Sequence, residues 1–326
     1  MNARKLRVNV RARSMVWHGE QRGQATVLTL VFLVVLLGMA ALVLDLGSWF
    51  RADRDTQKAA DAAALAGAQA LPDDTGQAQT LAANYASKNG GGLDGTTISS
   101  SINTNDTIQV SIKRQAPGIF TKLFGFDSAT VGSKATARVG PLAQAMYVAP
   151  IVVNIKHPAL HCGGTQQRPI PCFGQPTELD LLDLHSPGGK DAAGSFGLIN
   201  LTGDPTGNIG AGTLAGWMDV GYDHMMPLGT YYAAPSSNFN NGQFLSALND
   251  RIGDDVLFPI YDTLIQPGSN AQYNVVGWIG FHITSYNANG SSGWVRGWFT
   301  RVIWHGIQST TSSGSNWGAK TIQLVG

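Results

Sequence analysis

The stretch GQATVLTLVFLVVLLGMAALVL, residues 23–44, dominates this chain because it runs for 22 residues without a charge. A helix of this length measures roughly 33 Å at ~1.5 Å per residue, enough to cross the ~30 Å hydrocarbon core of a bilayer. A backbone that crosses lipid must satisfy its own hydrogen bonds, so we expect a helix. A cleaved secretory signal, whose apolar core is ~7–15 residues long, and a buried core helix are the alternatives. The length favours an uncleaved transmembrane helix.

The charges are distributed unevenly around this stretch. The whole chain of 326 residues has 22 Lys and Arg against 21 Asp and Glu, and only 13% of its residues are charged. Residues 1–22, however, contain six basic side chains and one acidic, a charge of +5, which leaves −4 for the remainder. Basic residues before a span favour a cytoplasmic N-terminus, so the C-terminal domain is expected outside. The near-neutral total argues against a disordered chain and against a nucleic-acid partner.

A second helical sequence follows the apolar stretch directly. Trp49 and Phe50 lie where aromatic side chains anchor a helix at the membrane interface. Eight of the twelve residues in 59–70 are Ala, the strongest helix former, and Pro72 ends the run. Small residues recur on one face and predict close helix packing, at Ala60, Ala64, Gly67 and Ala68. This face could receive another helix, or the helix could lean on its own domain.

Four segments together carry a family resemblance: Arg22–Gln24, Leu42–Phe50, Lys58–Leu71 and Ile108–Val139. Over about residues 20–140 the chain resembles the TadG-like proteins of Flp pilus assembly. The resemblance implies a single-pass protein of a bacterial cytoplasmic membrane, whose partners are the lipid bilayer and other pilus-assembly or pilin-like envelope proteins. Some family members carry a metal-dependent adhesion domain, but residues 140–326 lack its Asp-x-Ser-x-Ser element. Pilin-type processing is not predicted, since Leu28 stands where that signal has Glu.

The remaining pattern predicts an α+β chain in which a long N-terminal transmembrane helix precedes a β-rich extracytoplasmic body. The expected divisions are a basic cytoplasmic tail (1–22), the transmembrane and Ala-rich helix (23–71), a small α/β segment with a strand pair (72–140) and a β-rich domain (141–326). Alternating apolar residues predict a half-buried strand, at Ile108, Val110 and Ile112.

The sequence allows two alternative roles for two aromatic residues in the C-terminal third. Trp294 and Trp298 share one face of a predicted strand. They could stack on a sugar, or they could belong to the core or to a ladder between strands, which is the commoner use.

Two cysteines provide the clearest chemistry. Cys162 and Cys172 are ten residues apart, and outside the cytoplasm a disulfide between them is expected. A zinc site with His157 and His161 is the alternative, but its ligand spacing is poor. For catalysis the nearest match surrounds Ser195, and it lacks the Gly of a nucleophile elbow. We predict no enzymatic activity, no metal, no cofactor and no small-molecule ligand.

The sequence therefore favours a structural and interaction role: a single-pass, membrane-anchored accessory protein of Flp/Tad-type pilus assembly or a related envelope apparatus. A tethered, lectin-like binding module is the alternative, and an envelope hydrolase is a weaker one.

Overall fold

The computed structural model describes residues 22–125, 127–165, 168–180, 197–205, 209–265, 271–288, 293–311 and 317–325. Within them lie four α-helices: α1 Arg22–Ala68, α2 Thr75–Lys88, α3 Ala211–Asp219 and α4 Gly242–Asp250. The strands of the same residues are β1 Gly92–Ser99, β2 Thr107–Pro117, β3 Ser128–Ala145, β4 Val153–Asn154, β5 Gly163–Thr165, β6 Arg168–Ile170, β7 Thr177–Asp180, β8 Ile199–Asn200, β9 Met226–Pro227, β10 Gly229–Ala233, β11 Asp255–Ile265, β12 Gln272–Asn287, β13 Trp294–Thr300, β14 Val302–Ile303, β15 Gly306–Gln308 and β16 Ala319–Leu324. The predicted fold class, a long N-terminal apolar helix followed by a β-rich body, is confirmed.

Helix α1 presents an apolar surface along its first half. The large apolar side chains between residues 27 and 44 are each 46–68% exposed, and the mean hydropathy of the most apolar window is 3.0. Among the described residues this is the helix that is long and apolar enough to cross a membrane. A helix that is apolar all round and has no protein cover requires an apolar environment.

The chain divides into two compact units. The first contains the part of α1 up to Asp53 together with Gln115–Val131. The second contains Arg54–Arg114 and Gly132–Gly326. The second unit also contains the Ala-rich half of α1 and the cores that pack against the two large β-sheets.

A first sheet follows α2, and we call it sheet I. Its strand order in the described chain is β1–β2–β3–β16–β14, with β9 and β15 also paired to β3. The predicted alternation is present, because Ile108, Val110 and Ile112 are buried while Gln109 is exposed. Strand β16 pairs antiparallel with residues 137–141 of β3. Sheet I thus contains strands from both sides of the predicted boundary at residue 140.

A second sheet, sheet II, has the described order β4–β11–β12–β10–β8, with β13 paired to β12 and β7 paired to β13. Strand β11, which lies between β4 and β12, is buried on both faces from Val256 to Tyr261. Val256, Phe258 and Ile260 pack in a core with α3 and α4, while Leu257 and Tyr261 belong to a second core that also contains residues of β3. Such a strand reads as a continuous apolar run rather than an alternating one.

Candidate functional site

A buried acid lies directly after the exposed apolar stretch of α1. The side chain of Asp45 is fully buried, although its neighbours Leu44 and Leu46 are exposed. Its carboxylate accepts hydrogen bonds from the backbone N–H groups of three residues in the β2–β3 connection: Ile119 at 2.8 Å, Phe120 at 3.0 Å and Thr121 at 2.7 Å. A buried carboxylate is costly unless such charge-assisted bonds satisfy it. Asp45 therefore binds this connection to the helix.

The β2–β3 connection is shaped to offer these donors. A short 3₁₀ turn spans Thr121–Phe124, and the first N–H groups of a helical turn have no partner inside it. Gly125 ends the turn at a φ of 84°, a left-handed conformation that favours glycine. The N–H of Gly118 donates to the carbonyl of Asp127 at 3.0 Å and closes the loop. The N–H groups of residues 119–121, which have no partner within the turn, thus all donate to the carboxylate of Asp45.

One face of α1 is covered at this level, and the two predicted interface anchors differ with respect to it. Ala41, Asp45, Ser48 and Trp49 are buried or half-buried and follow the i, i+4, i+7, i+8 spacing of a single helix face. Phe50 is exposed on the other side. Trp49 therefore lies beside the Asp45 contact, and Phe50 remains available to the surroundings of the helix.

The small-residue face of α1 packs inside the chain's own body. Ala60, Ala64 and Ala68 are fully buried in a core made with α2 and sheet I. At Gly67 an added Cβ would lie 2.7 Å from Cδ1 of Ile108 and 2.9 Å from a backbone oxygen of α2. Small side chains let α2 approach this closely. Of the two alternatives that the sequence left open, the structure shows packing on the chain's own domain.

The two cysteines form a disulfide with a Cα–Cα distance of 5.1 Å. Both sulfurs are therefore covalently paired, which leaves no thiolate for the alternative zinc site. The histidines of that site are bonded elsewhere: Nδ1 of His157 accepts from the N–H of Ala159 at 3.2 Å, and Nε2 of His161 lies 2.7 Å from the carbonyl of Ile155.

The two tryptophans of β13 lie on the half-buried face of that strand. The opposite face, with Val295 and Phe299, forms the core. Trp298 stacks on the ring of His282 with centroids 4.3 Å apart, and the guanidinium of Arg296 lies 3.9 Å from the ring centroid of Trp294. Each ring thus already has a polar partner. Ser195, the weak catalytic candidate, lies outside the described residues.

A cavity of about 330 Å³ lies in the second unit, and its lining includes Asp73, which follows α1, and Lys320 of β16. The buried ammonium of Lys320 donates to the carbonyl of Leu71 at 2.6 Å and to Asp73 at 3.3 Å. Burial lowers the pKa of Lys320, although the charge of Asp73 opposes that shift. Arg301 also lies 3.8 Å from Asp73 and covers the ring of Phe173. These charges are paired with one another, so the cluster joins β16 to the residues after α1.

Sequence reasoning missed Asp45 and the cluster around Lys320. One signal could have found the acid, since it is the first charged residue after the apolar stretch and lies four residues before Trp49, on the same helix face. No local signal marks Lys320, because its partners are about 250 residues away along the chain.

Comparison with known proteins identifies a related family for the N-terminal helical part of the chain. Residues 23–70 match the Tad family, described as Flp pilus-assembly TadE/G-like, and this confirms the TadG-like N-terminal region. The match covers 48 of the 326 residues. No curated protein and no solved structure matches the chain. The exposed apolar helix and the family match together indicate a membrane-anchored envelope protein associated with pilus assembly.

Proposed function

We propose that this chain is a single-pass, membrane-anchored accessory protein of Flp/Tad-type pilus assembly or of a related envelope apparatus. One observation carries the proposal: the exposed apolar part of α1 falls inside the segment that matches the Tad family. The role is structural, and its expected partners are pilin-like or pilus-assembly proteins of the envelope.

The charge distribution supports one orientation in the cytoplasmic membrane. The +5 tail of residues 1–22 stays in the cytoplasm, and the body that begins after Asp45 lies outside. The disulfide between Cys162 and Cys172 agrees with an oxidising compartment on the body's side.

Cysteine labelling tests the orientation. Because both native cysteines are in a disulfide, a membrane-impermeant maleimide reacts only with introduced thiols. We expect Asp94→Cys in the body to be labelled on intact spheroplasts, and Ser14→Cys in the tail to be labelled only after permeabilisation. The reverse pattern would refute the orientation.

Gene deletion tests the assembly role. In the native host we expect deletion to abolish or strongly reduce surface pili, and the full-length chain to restore them. A second complementing chain, in which an unrelated apolar helix replaces residues 23–44, distinguishes a specific span from a mere tether. Normal piliation in the deletion strain would disprove the assembly role.

A further inference from the structure

The position of the loop of residues 117–125 along α1 is fixed by hydrogen bonds. Its N–H groups at Ile119, Phe120 and Thr121 lie 2.7–3.2 Å from the carboxylate of Asp45, which directly follows the uncharged stretch. The covered helix face extends back to Ala41, four residues or about 6 Å earlier at 1.5 Å per residue. This loop therefore lies at the level where the apolar stretch ends.

The composition of the loop differs from that of an ordinary surface loop. Its sequence, PGIFTKLFG, has one cation and no acid, and four of its nine residues are large and apolar: Ile119, Phe120, Leu123 and Phe124. The side chain of Ile119 is 59% exposed. The loop that precedes β2, residues 100–106, reads SSINTND and has a single apolar residue. The apolar residues are thus concentrated in the loop that Asp45 binds.

We propose that loop 117–125 is a second membrane contact, seated in the interfacial layer of the bilayer beside the end of the apolar helix. This inference rests on the proposed membrane span. Ile119 and Phe120 supply apolar surface of the kind that partitions into this layer. The exposed Lys122 supplies a cation for anionic lipid headgroups. Asp45 satisfies the backbone donors that would otherwise lie unpaired near lipid.

The test measures membrane depth in the full chain. Ile119→Cys carries an environment-sensitive fluorophore in vesicles of phosphatidylethanolamine and phosphatidylglycerol, and Thr104→Cys in the exposed loop before β2 is the matched control. Lipids with a nitroxide near the headgroup should quench the probe at 119 about threefold more strongly than the probe at 104, because quenching requires equal depth. A blue-shifted emission at 119 should accompany it.

A second variant tests the role of the acid. Asp45→Asn combined with Ile119→Cys should lower the lipid quenching at 119 by about half, because the neutral amide offers one acceptor oxygen to the loop instead of two. Unchanged quenching would refute the claim that Asp45 sets the depth of the loop.

The remaining outcomes separate this proposal from the proposed function. If the chain resists carbonate extraction but the probe at 119 behaves like the probe at 104, the membrane contact is refuted and the span stands. If the probe at 119 is shielded from an aqueous quencher and also from the lipid nitroxide, protein covers the loop, and the lipid contact is again refuted. If carbonate releases the chain, both proposals fall together.

Discussion

Substitution of Asp106 provides a sharp test of how sheet I is held together. The buried carboxylate of this residue closes the loop between β1 and β2, where it accepts hydrogen bonds from the N–H groups of Ser101 at 2.7 Å, Ile102 at 2.9 Å and Asn103 at 2.8 Å, and from the hydroxyl of Thr107 at 2.8 Å. Burial alone would raise the pKa of Asp106, but these hydrogen bonds outweigh it and hold the pKa below the ordinary value of 3.8.

The expected magnitude follows from the bonds that an amide cannot accept. Asp106→Asn keeps one acceptor oxygen and points an NH₂ group at backbone donors. Because a hydrogen bond to a charged group contributes about 1.5–3 kcal/mol and such terms are not additive, we expect a loss of about 2–4 kcal/mol in the free energy of unfolding near pH 7. Asp94→Asn in β1 is the matched control, since Asp94 is exposed and pairs with Lys113 at 2.9 Å on the surface. Such a pair contributes only about 0–1 kcal/mol.

The pH dependence of the stability difference provides a second, independent test. A carboxyl whose pKa is lowered by folding stabilises the protein above its unfolded pKa, and the stabilisation is lost as the pH falls through the folded pKa. The difference between the native chain and Asp106→Asn should therefore be largest near pH 7 and should shrink toward about pH 3. This difference is measured by urea unfolding of the full chain in detergent, with tryptophan fluorescence as the signal. An equal difference at both pH values, or an equal cost for Asp94→Asn, would refute the reasoning.

Three further predictions address other parts of the body. Gly67→Ala should destabilise the chain to urea by about 1–3 kcal/mol through overpacking against α2, whereas Gly47→Ala in the same helix, where an added Cβ meets nothing within 4 Å, should change stability by no more than about 1 kcal/mol. Serine at both Cys162 and Cys172 should cost about 2–3 kcal/mol in the same assay, because the open loop regains entropy in the unfolded chain. Burial, with a smaller contribution from a neighbouring tyrosine, raises the pKa of Tyr231 to about 12, so its stabilisation is complete below the ordinary pKa of 10.0 and is lost as the pH rises from there through about 12. An absorbance titration should show this late tyrosine step disappear in Tyr231→Phe, and a native chain without such a step would contradict the assignment.

Features that depend on neighbours along the chain could be predicted from the sequence. An uncharged run followed by an Ala-rich run specifies α1, and Pro72 stands just beyond its end at Ala68. The alternation at Ile108 and Val110 specifies one face of β2 because strand side chains alternate with a period of two. Each of these signals is contained within a few turns or pleats.

Features that depend on distant partners could not be predicted in this way. Asp45 contacts residues 74–76 positions away, and nothing in its own neighbourhood identifies them. The face of small residues on α1 can pack against any closely approaching surface. Its pattern alone therefore does not distinguish a second protein's helix from the chain's own α2. The partners of strand β11 could not be predicted for another reason. The strand is buried on both faces, so its sequence lacks the alternation of apolar and polar residues that is typical of a sheet with one exposed face.

The pairing of β16 with β3 has a consequence for the order of synthesis. The residues of β3 leave the ribosome about 180 residues before their partners at 320–324, and a closure of that length is slow. Until then the edge of β3 at residues 137–141 lacks its neighbour and offers open backbone groups to any passing strand. A chain that stalls at this stage would therefore present an open strand edge to its surroundings. We expect nascent chains of this protein to need a holding chaperone until their last strand is synthesised.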